Sequence, residues 1–316
     1  MKAGGNTRGF TLLELLLAAA ITVLLAALML SVTTAALHTW HRTQDASGMA
    51  MQAKLALDLL ERDLQSAIQQ NEKSGETWLA AEISNEPAGL ASHGWLVAPR
   101  MKPATAESIR LVPFSSDGLS RIGEARFGLS GVWLRLIAAT TETTSEAGVP
   151  HAIAYQIARR PISGPIATGN PAAVRYTLFR TYLGGATSFA SGNDLRAPAY
   201  SDLANPSTSS DPLAANVVDF GVWLYVRESN GALRRVFPTD NGDLTYTAAD
   251  ANAAVADVMI RILTGEGVRL LDAMEKSNGA LARPEVFPDD AAWWWGIVER
   301  HSRVFARRIE LRGDAG

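Results

Sequence analysis

The chain has 316 residues, 47% of them apolar and 19% charged, with a formal net charge of −3. That length buries a sizeable core, while the near-neutral balance offers neither a basic surface for nucleic acid nor an acidic disordered tail. The lack of cysteine excludes disulfides, thiolate metal sites and cysteine nucleophiles, and five histidines leave little material for a zinc centre.

Residues 1–9, MKAGGNTRG, are short and polar, with Lys2 and Arg8. From Phe10 the chain turns apolar, and Leu15 to Leu37 holds no charged residue. At ~1.5 Å per residue such a helix crosses a bilayer core of ~30 Å. It is too long for the ~7–15-residue apolar core of a cleaved secretory signal. Lys2 and Arg8 on the short flank predict a cytoplasmic N-terminus, and Trp40 falls where an interfacial aromatic belongs. Glu14 breaks the apolar pattern. A carboxylate inside a membrane segment is costly and usually has a partner.

No proline occurs before Pro87, and between Phe10 and Ser74 the only glycine is Gly48. One helix is therefore predicted from about residue 11 to about residue 70, softened at Gly48. Its second half is amphipathic. Ala53, Leu57, Leu60, Leu64 and Ala67 form an apolar stripe that should pack on a globular domain, and Lys54, Asp58, Glu61, Arg62, Asp63 and Gln65 fill the remainder. Asp58 and Arg62 are spaced as a favourable helical ion pair.

Residues 71–108 read as loops and short elements. Beyond them, short β-type runs alternate with turn signals. The predicted strands are Ser108–Phe114, Gly131–Ala138, Ala152–Ala158, Arg175–Tyr182, Val217–Arg227, Arg234–Phe237, Val255–Leu263 and Arg303–Leu311. Ser229-Asn230-Gly231 reads as a hairpin turn. Ser188–Asn216, rich in Ser, Asn, Asp and Pro, reads as a long surface loop. A helix followed by a mainly antiparallel sheet is an α+β architecture.

Candidate sites are few. Thr239-Asp240-Asn241-Gly242-Asp243 sets oxygen donors around a glycine, a pattern that suits calcium. The EF-hand continuation is missing, since residue 251 is Ala251, so a polar turn is the plainer reading and no cofactor is expected. Asp289 and Asp290 are weaker carboxylate candidates. Three consecutive tryptophans, Trp293 to Trp295, cannot all face one core. The plain expectation is two packed rings with the third covering a loop; the alternative is a contact patch for another subunit. His38 and His41 sit beside Trp40 at the predicted membrane exit and read as a solvated pair. Arg300, Arg303, Arg307, Arg308 and Arg312 read as a solvated basic edge strand that resists strand addition. No serine–histidine–aspartate order, phosphate loop or zinc-protease helix occurs, so no catalytic residue is assigned.

The string Gly9-Phe10-Thr11-Leu12-Leu13-Glu14, after a short basic leader and before a long apolar helix, resembles the class III signal of type IV pilins and of type II secretion pseudopilins. The resemblance implies a pilin-like fold. It divides the chain into a leader (1–9), a transmembrane half-helix (10–37), an amphipathic half-helix (38–70) and an extracytoplasmic β-rich domain (71–316). It implies that prepilin peptidase cuts between Gly9 and Phe10 and methylates Phe10. It also implies that Glu14 pairs with a neighbouring subunit's N-terminal amine, that other minor pilins or pseudopilins are partners, and that the chain waits in the inner membrane. Some pseudopilins bind calcium, which would fall on Asp240, Asn241 and Asp243. The order of Ala154–Arg160, Val174–Arg180, Asn216–Phe220, Val255–Leu263 and Ser302–Arg312, with Leu59-Leu60-Glu61-Arg62-Asp63-Leu64 in the helix, is similar to GspJ-like pseudopilins and PilW-like minor pilins. Verrucomicrobial cassette proteins with pilin-type N-termini are another possible home. A non-catalytic structural subunit is implied; the competing class is a membrane-anchored extracytoplasmic enzyme or binding protein that borrows the signal.

Overall fold

The computed structural model describes residues 11–68, 77–83, 124–127, 131–139, 149–161, 174–190, 192, 194–195, 197–200, 210–239, 244–247, 252–276 and 281–311. The first element, α1, is a single helix over Leu12–Gln65. The chain divides into two compact units, Met1–Gly48 and Met49–Gly316.

The first unit carries the apolar part of α1. Leu12–Leu37 is long and apolar enough to cross a membrane, and none of it is buried within the protein. Threonine hydroxyls bond within the helix: Thr22 Oγ1 donates to the Ala18 carbonyl and Thr33 Oγ1 to the Met29 carbonyl, each at 2.8 Å. Hydrocarbon offers a hydroxyl no other partner, so this bonding makes the threonines tolerable there. Trp40 is exposed. His38 and His41 lie in α1, but their side chains fall outside the described residues.

The second unit begins with the amphipathic part of α1. Met49, Ala53, Ala56, Leu57, Leu60 and Leu64 are buried at helical spacing in the main core. Among the described residues ten strands follow. They are β1 (Leu79–Ile83), β2 (Val132–Ala139), β3 (Pro150–Pro161), β4 (Val174–Leu183), β5 (Ser210–Ala215), β6 (Val217–Arg227), β7 (Leu233–Phe237), β8 (Thr245–Thr247), β9 (Val255–Leu263) and β10 (Ser302–Glu310). Three shorter helices are α2 (Gly185–Ala190), α3 (Gly265–Lys276) and α4 (Asp290–Arg300). One antiparallel sheet has the order β5-β4-β3-β2-β1-β8 and the other β10-β9-β6-β7. This is the α+β, helix-plus-antiparallel-sheet plan expected from the sequence.

Seven predicted strands match β2, β3, β4, β6, β7, β9 and β10; Ser108–Phe114 lies outside the described residues. The Ser229–Gly231 turn closes the β6–β7 hairpin, with Gly231 at φ 83° and its N–H donating to the Glu228 carbonyl at 2.8 Å. Both faces of β6 are apolar because both are covered: only its last residue, Arg227, is exposed. The surface loop expected over Ser188–Asn216 needs correction. It contains β5, which pairs with β4 at the sheet edge, where Pro212 forfeits no central ladder bond. β1 was also not foreseen. Leu79-Ala80-Ala81 has weak strand propensity, and burial between β2 and β8 sets its conformation.

Gly221 in β6 marks a very close approach in the core. A Cβ there would lie 2.1 Å from the Phe127 ring. That ring is fully buried and stands edge-on to Trp223 at 4.9 Å, so it has nowhere to move. Gly221→Ala should lower the urea unfolding midpoint by the equivalent of about 1–3 kcal/mol, and Phe127→Leu in the same chain should restore part of it. An unchanged midpoint would mean that the ring is loosely held.

Candidate functional site

The N-terminal end of α1 is built as a reciprocal cap. Thr11 precedes the first helical residue and Glu14 stands at the third helical position. Glu14 Oε2 accepts the Thr11 backbone N–H at 2.9 Å and the Thr11 hydroxyl at 3.0 Å. Thr11 Oγ1 in turn accepts the Glu14 N–H at 3.3 Å. Two backbone donors that the helix itself leaves unbonded are thereby satisfied. Thr-x-x-Glu is a legible capping signal, so Glu14 is a capping residue as well as a carboxylate at the head of the apolar run. The cap folds the carboxylate back toward the chain start. A carboxylate has about four acceptor positions, so two bonds from Thr11 leave capacity for an ammonium. Gly9 and Phe10 lie outside the described residues.

In the globular unit the helix is fastened to both sheets by ion pairs. Asp63, expected on the polar face, is buried. Arg180 of β4 donates to it through Nε at 2.7 Å and Nη2 at 3.3 Å, and Tyr155 of β3 donates its hydroxyl at 2.5 Å. Tyr155 and Arg180 stand directly opposite in the β3–β4 ladder, so one hairpin presents both donors. Burial pushes the Tyr155 phenol well above its ordinary range, and the Asp63 charge adds to this, so it remains a donor.

The basic C-terminal strand also needs correction. β10 is an edge strand, but Arg307 reaches back to α1, at 2.7 Å from Asp58 and 2.6 Å from Glu61. Its hydrogen bond holds the Asp58 carboxyl below the usual carboxylate range. Arg308 grips Asp257 of β9 with two bonds of 2.8 Å, and Asp257 is fully buried. Arg307 and Arg308 are tertiary fasteners, while Arg300 and Arg303 are exposed, as a solvated edge requires.

A third cluster gathers where α3 meets the β3–β4 hairpin. Glu275 of α3 accepts from Tyr176 at 2.5 Å and from Trp294 Nε1 at 3.4 Å, and pairs with Arg159 at 2.5 Å. Trp294 and Trp295 are buried and Trp293 is half-buried against the same core, in line with the plain expectation for the triplet. Beside the cluster a crevice with about 20 Å³ of room is lined by Arg159, Arg175, Asn216, Val268, Leu271 and Asp272, among others.

Asp289 accepts the Ala292 N–H at 2.6 Å as the α4 cap, and Asp290 pairs with Arg283 at 3.1 Å. Both carboxylates therefore have structural duties. Asp240, Asn241 and Asp243 lie outside the described residues, among which no group of three or more metal-binding side chains occurs.

Residues 5–30 match the prokaryotic N-terminal methylation motif. No curated protein and no solved structure matches the chain. The chain thus carries a class III prepilin signal over its leader and the start of its apolar helix. That signal implies processing by prepilin peptidase and membrane association.

Proposed function

We propose that this chain is a minor pilin or pseudopilin: a non-catalytic subunit that waits in the inner membrane and joins a type IV pilus or a type II secretion-like filament. The observation that carries the reading is the prepilin signal at residues 5–30 together with the Glu14 carboxylate turned back over the start of the helix. In this reading prepilin peptidase cuts after Gly9 and methylates Phe10. The new ammonium then meets the Glu14 carboxylate of a neighbouring subunit. In a low-dielectric setting an unmatched carboxylate is penalised, so the pair fixes register more than it adds stability. A filament tip has no neighbour ahead, so possession of Glu14 fits a place below the tip, as for a GspJ-like or PilW-like subunit. The globular unit would lie outside the cytoplasm.

Intact-mass measurement on the protein from its own host tests the first step. The expected species starts at methylated Phe10 and lacks Lys2 and Arg8. Replacing Gly9 with a bulkier residue should leave only the uncut form. Recovery of chains that still begin at Met1, from a host with an active prepilin peptidase, would overturn the assignment.

A further inference from the structure

Two residues that line the crevice beside the Glu275 cluster each carry a buried polar atom whose hydrogen-bonding capacity is unused. Arg159 is 5% exposed; its Nη2 pairs with Glu275 at 2.5 Å, while its Nη1 has no hydrogen-bond partner. Asn216 Oδ1 is likewise buried without a partner. A buried donor or acceptor left unmatched is costly, so two lining residues that hold one of each point to an occupant.

The surroundings define its chemistry. Arg159 is matched by Glu275, and Arg175 stands 3.9 Å from Asp272 on the partly exposed side of the crevice. The site is therefore charge-balanced, and a carboxylate or phosphate would bring an uncompensated charge. The free atoms ask for one acceptor and one donor on the same small group. Val268 and Leu271 supply an apolar wall for a short aliphatic stem. About 20 Å³ of room admits a group only slightly larger than a water molecule. A free ligand of three or four heavy atoms binds at roughly millimolar strength at best, so a useful occupant must be tethered to something larger.

We infer that this crevice is a notch for a neutral primary carboxamide, the end of an asparagine or glutamine side chain presented by a partner polypeptide. The carboxamide oxygen accepts from Arg159 Nη1, and its NH₂ donates to Asn216 Oδ1. Asn216 is suited to the post: it occupies a left-handed conformation, φ 61°, between β5 and β6, and its backbone carbonyl is held by the Leu263 N–H at 2.9 Å. Only the origin of the side chain rests on the assembled-subunit reading. The selectivity of the notch belongs to the isolated chain.

The test uses the full chain in lipid nanodiscs, with the Arg159 guanidinium resonances followed by NMR and identified through Arg159→Lys. Acetamide is the probe, with acetate and N-methylacetamide as comparators. Saturable shifts with acetamide, at least about tenfold weaker with acetate or N-methylacetamide, are expected. Asn216→Gly removes the acceptor while suiting the positive φ, and should abolish the acetamide response without unfolding the chain. No saturable shift would mean that ordered water alone fills the crevice and would overturn the inference. An equal response to acetate would overturn the neutral-ligand assignment, and an equal response to N-methylacetamide would overturn the side-chain assignment in favour of a backbone peptide group. Persistence of binding in Asn216→Gly would also overturn it. None of these outcomes touches prepilin processing, which is read separately by mass.

Discussion

Asp63→Ala is expected to lower the stability of the globular unit by about 3–5 kcal/mol, the cost of leaving one partner of a buried ion pair behind. Arg180, 2% exposed, would lose the carboxylate that receives two of its donors, and the fully buried Tyr155 hydroxyl would lose its acceptor. Exposed pairs such as Lys54–Asp58, at 3.7 Å with side chains 75% and 47% exposed, are worth ~0–1 kcal/mol and set the comparison. Asp63→Asn keeps the shape and an acceptor but not the charge, so an intermediate loss is expected. Asp63→Leu combined with Arg180→Met removes both charges and should recover most of the stability, since an apolar replacement of a buried pair is often neutral. Urea unfolding of the full chain in detergent micelles, followed by tryptophan fluorescence, reads all of these. An Asp63→Ala loss no larger than that of Lys54→Ala would show that the triad is not what fastens the helix. The triad also fixes register: sliding α1 by one residue would turn Asp63 away from Arg180 and Tyr155.

On the proposed subunit reading, Glu14→Ala is expected to reduce entry into the filament by about tenfold or more while sparing insertion and cleavage. Removing a carboxylate from an apolar helix eases insertion, by up to ~2–3 kcal/mol if it lies deep, so failed assembly could not be blamed on failed insertion. The reciprocal cap adds a second consequence. Alanine also removes the acceptor for the Thr11 N–H, a loss of ~0.5–2 kcal/mol at the helix start. Glutamine separates the two effects, because a capping box accepts Glu or Gln at this position but only Glu carries charge. If pairing with an ammonium is the role, Glu14→Gln should be nearly as defective as alanine. If capping is the role, glutamine should assemble normally and Thr11→Ala should share the alanine defect. Quantifying the variant in sheared filaments, beside the mass of its mature N-terminus, distinguishes these results. Normal assembly of correctly cleaved Glu14→Ala would reduce the motif to a processing signal.

What the sequence determined by itself was local or one-dimensional. A charge-free run from Leu15 to Leu37 identifies a helix long and apolar enough to span a bilayer, because bilayer thickness sets a length and hydrocarbon excludes charge. The step of three and four from Ala53 to Leu64 identifies the packing face, and the runs from Val217 and Val255 announce themselves because β-branched and aromatic residues fill a buried pleat. Glu14 stands out as the carboxylate at the head of the apolar run, and its cap is legible in Thr11-x-x-Glu14. The α4 helix is absent from the predicted elements, although Asp289 stands at its start as a capping residue. Tertiary structure alone decided the rest. Asp63, Asp58 and Glu61 all read as solvated helix polarity, and only the arrival of Arg180 and Arg307, distant in sequence, makes them partners. β1 and β5 have poor strand composition and exist because neighbouring strands supply the hydrogen bonds. Arg159 and Asn216 carry no motif at all. They share a crevice because α3 folds over the β3–β4 hairpin, and long-range packing of that kind leaves no periodic trace in the residues that it joins.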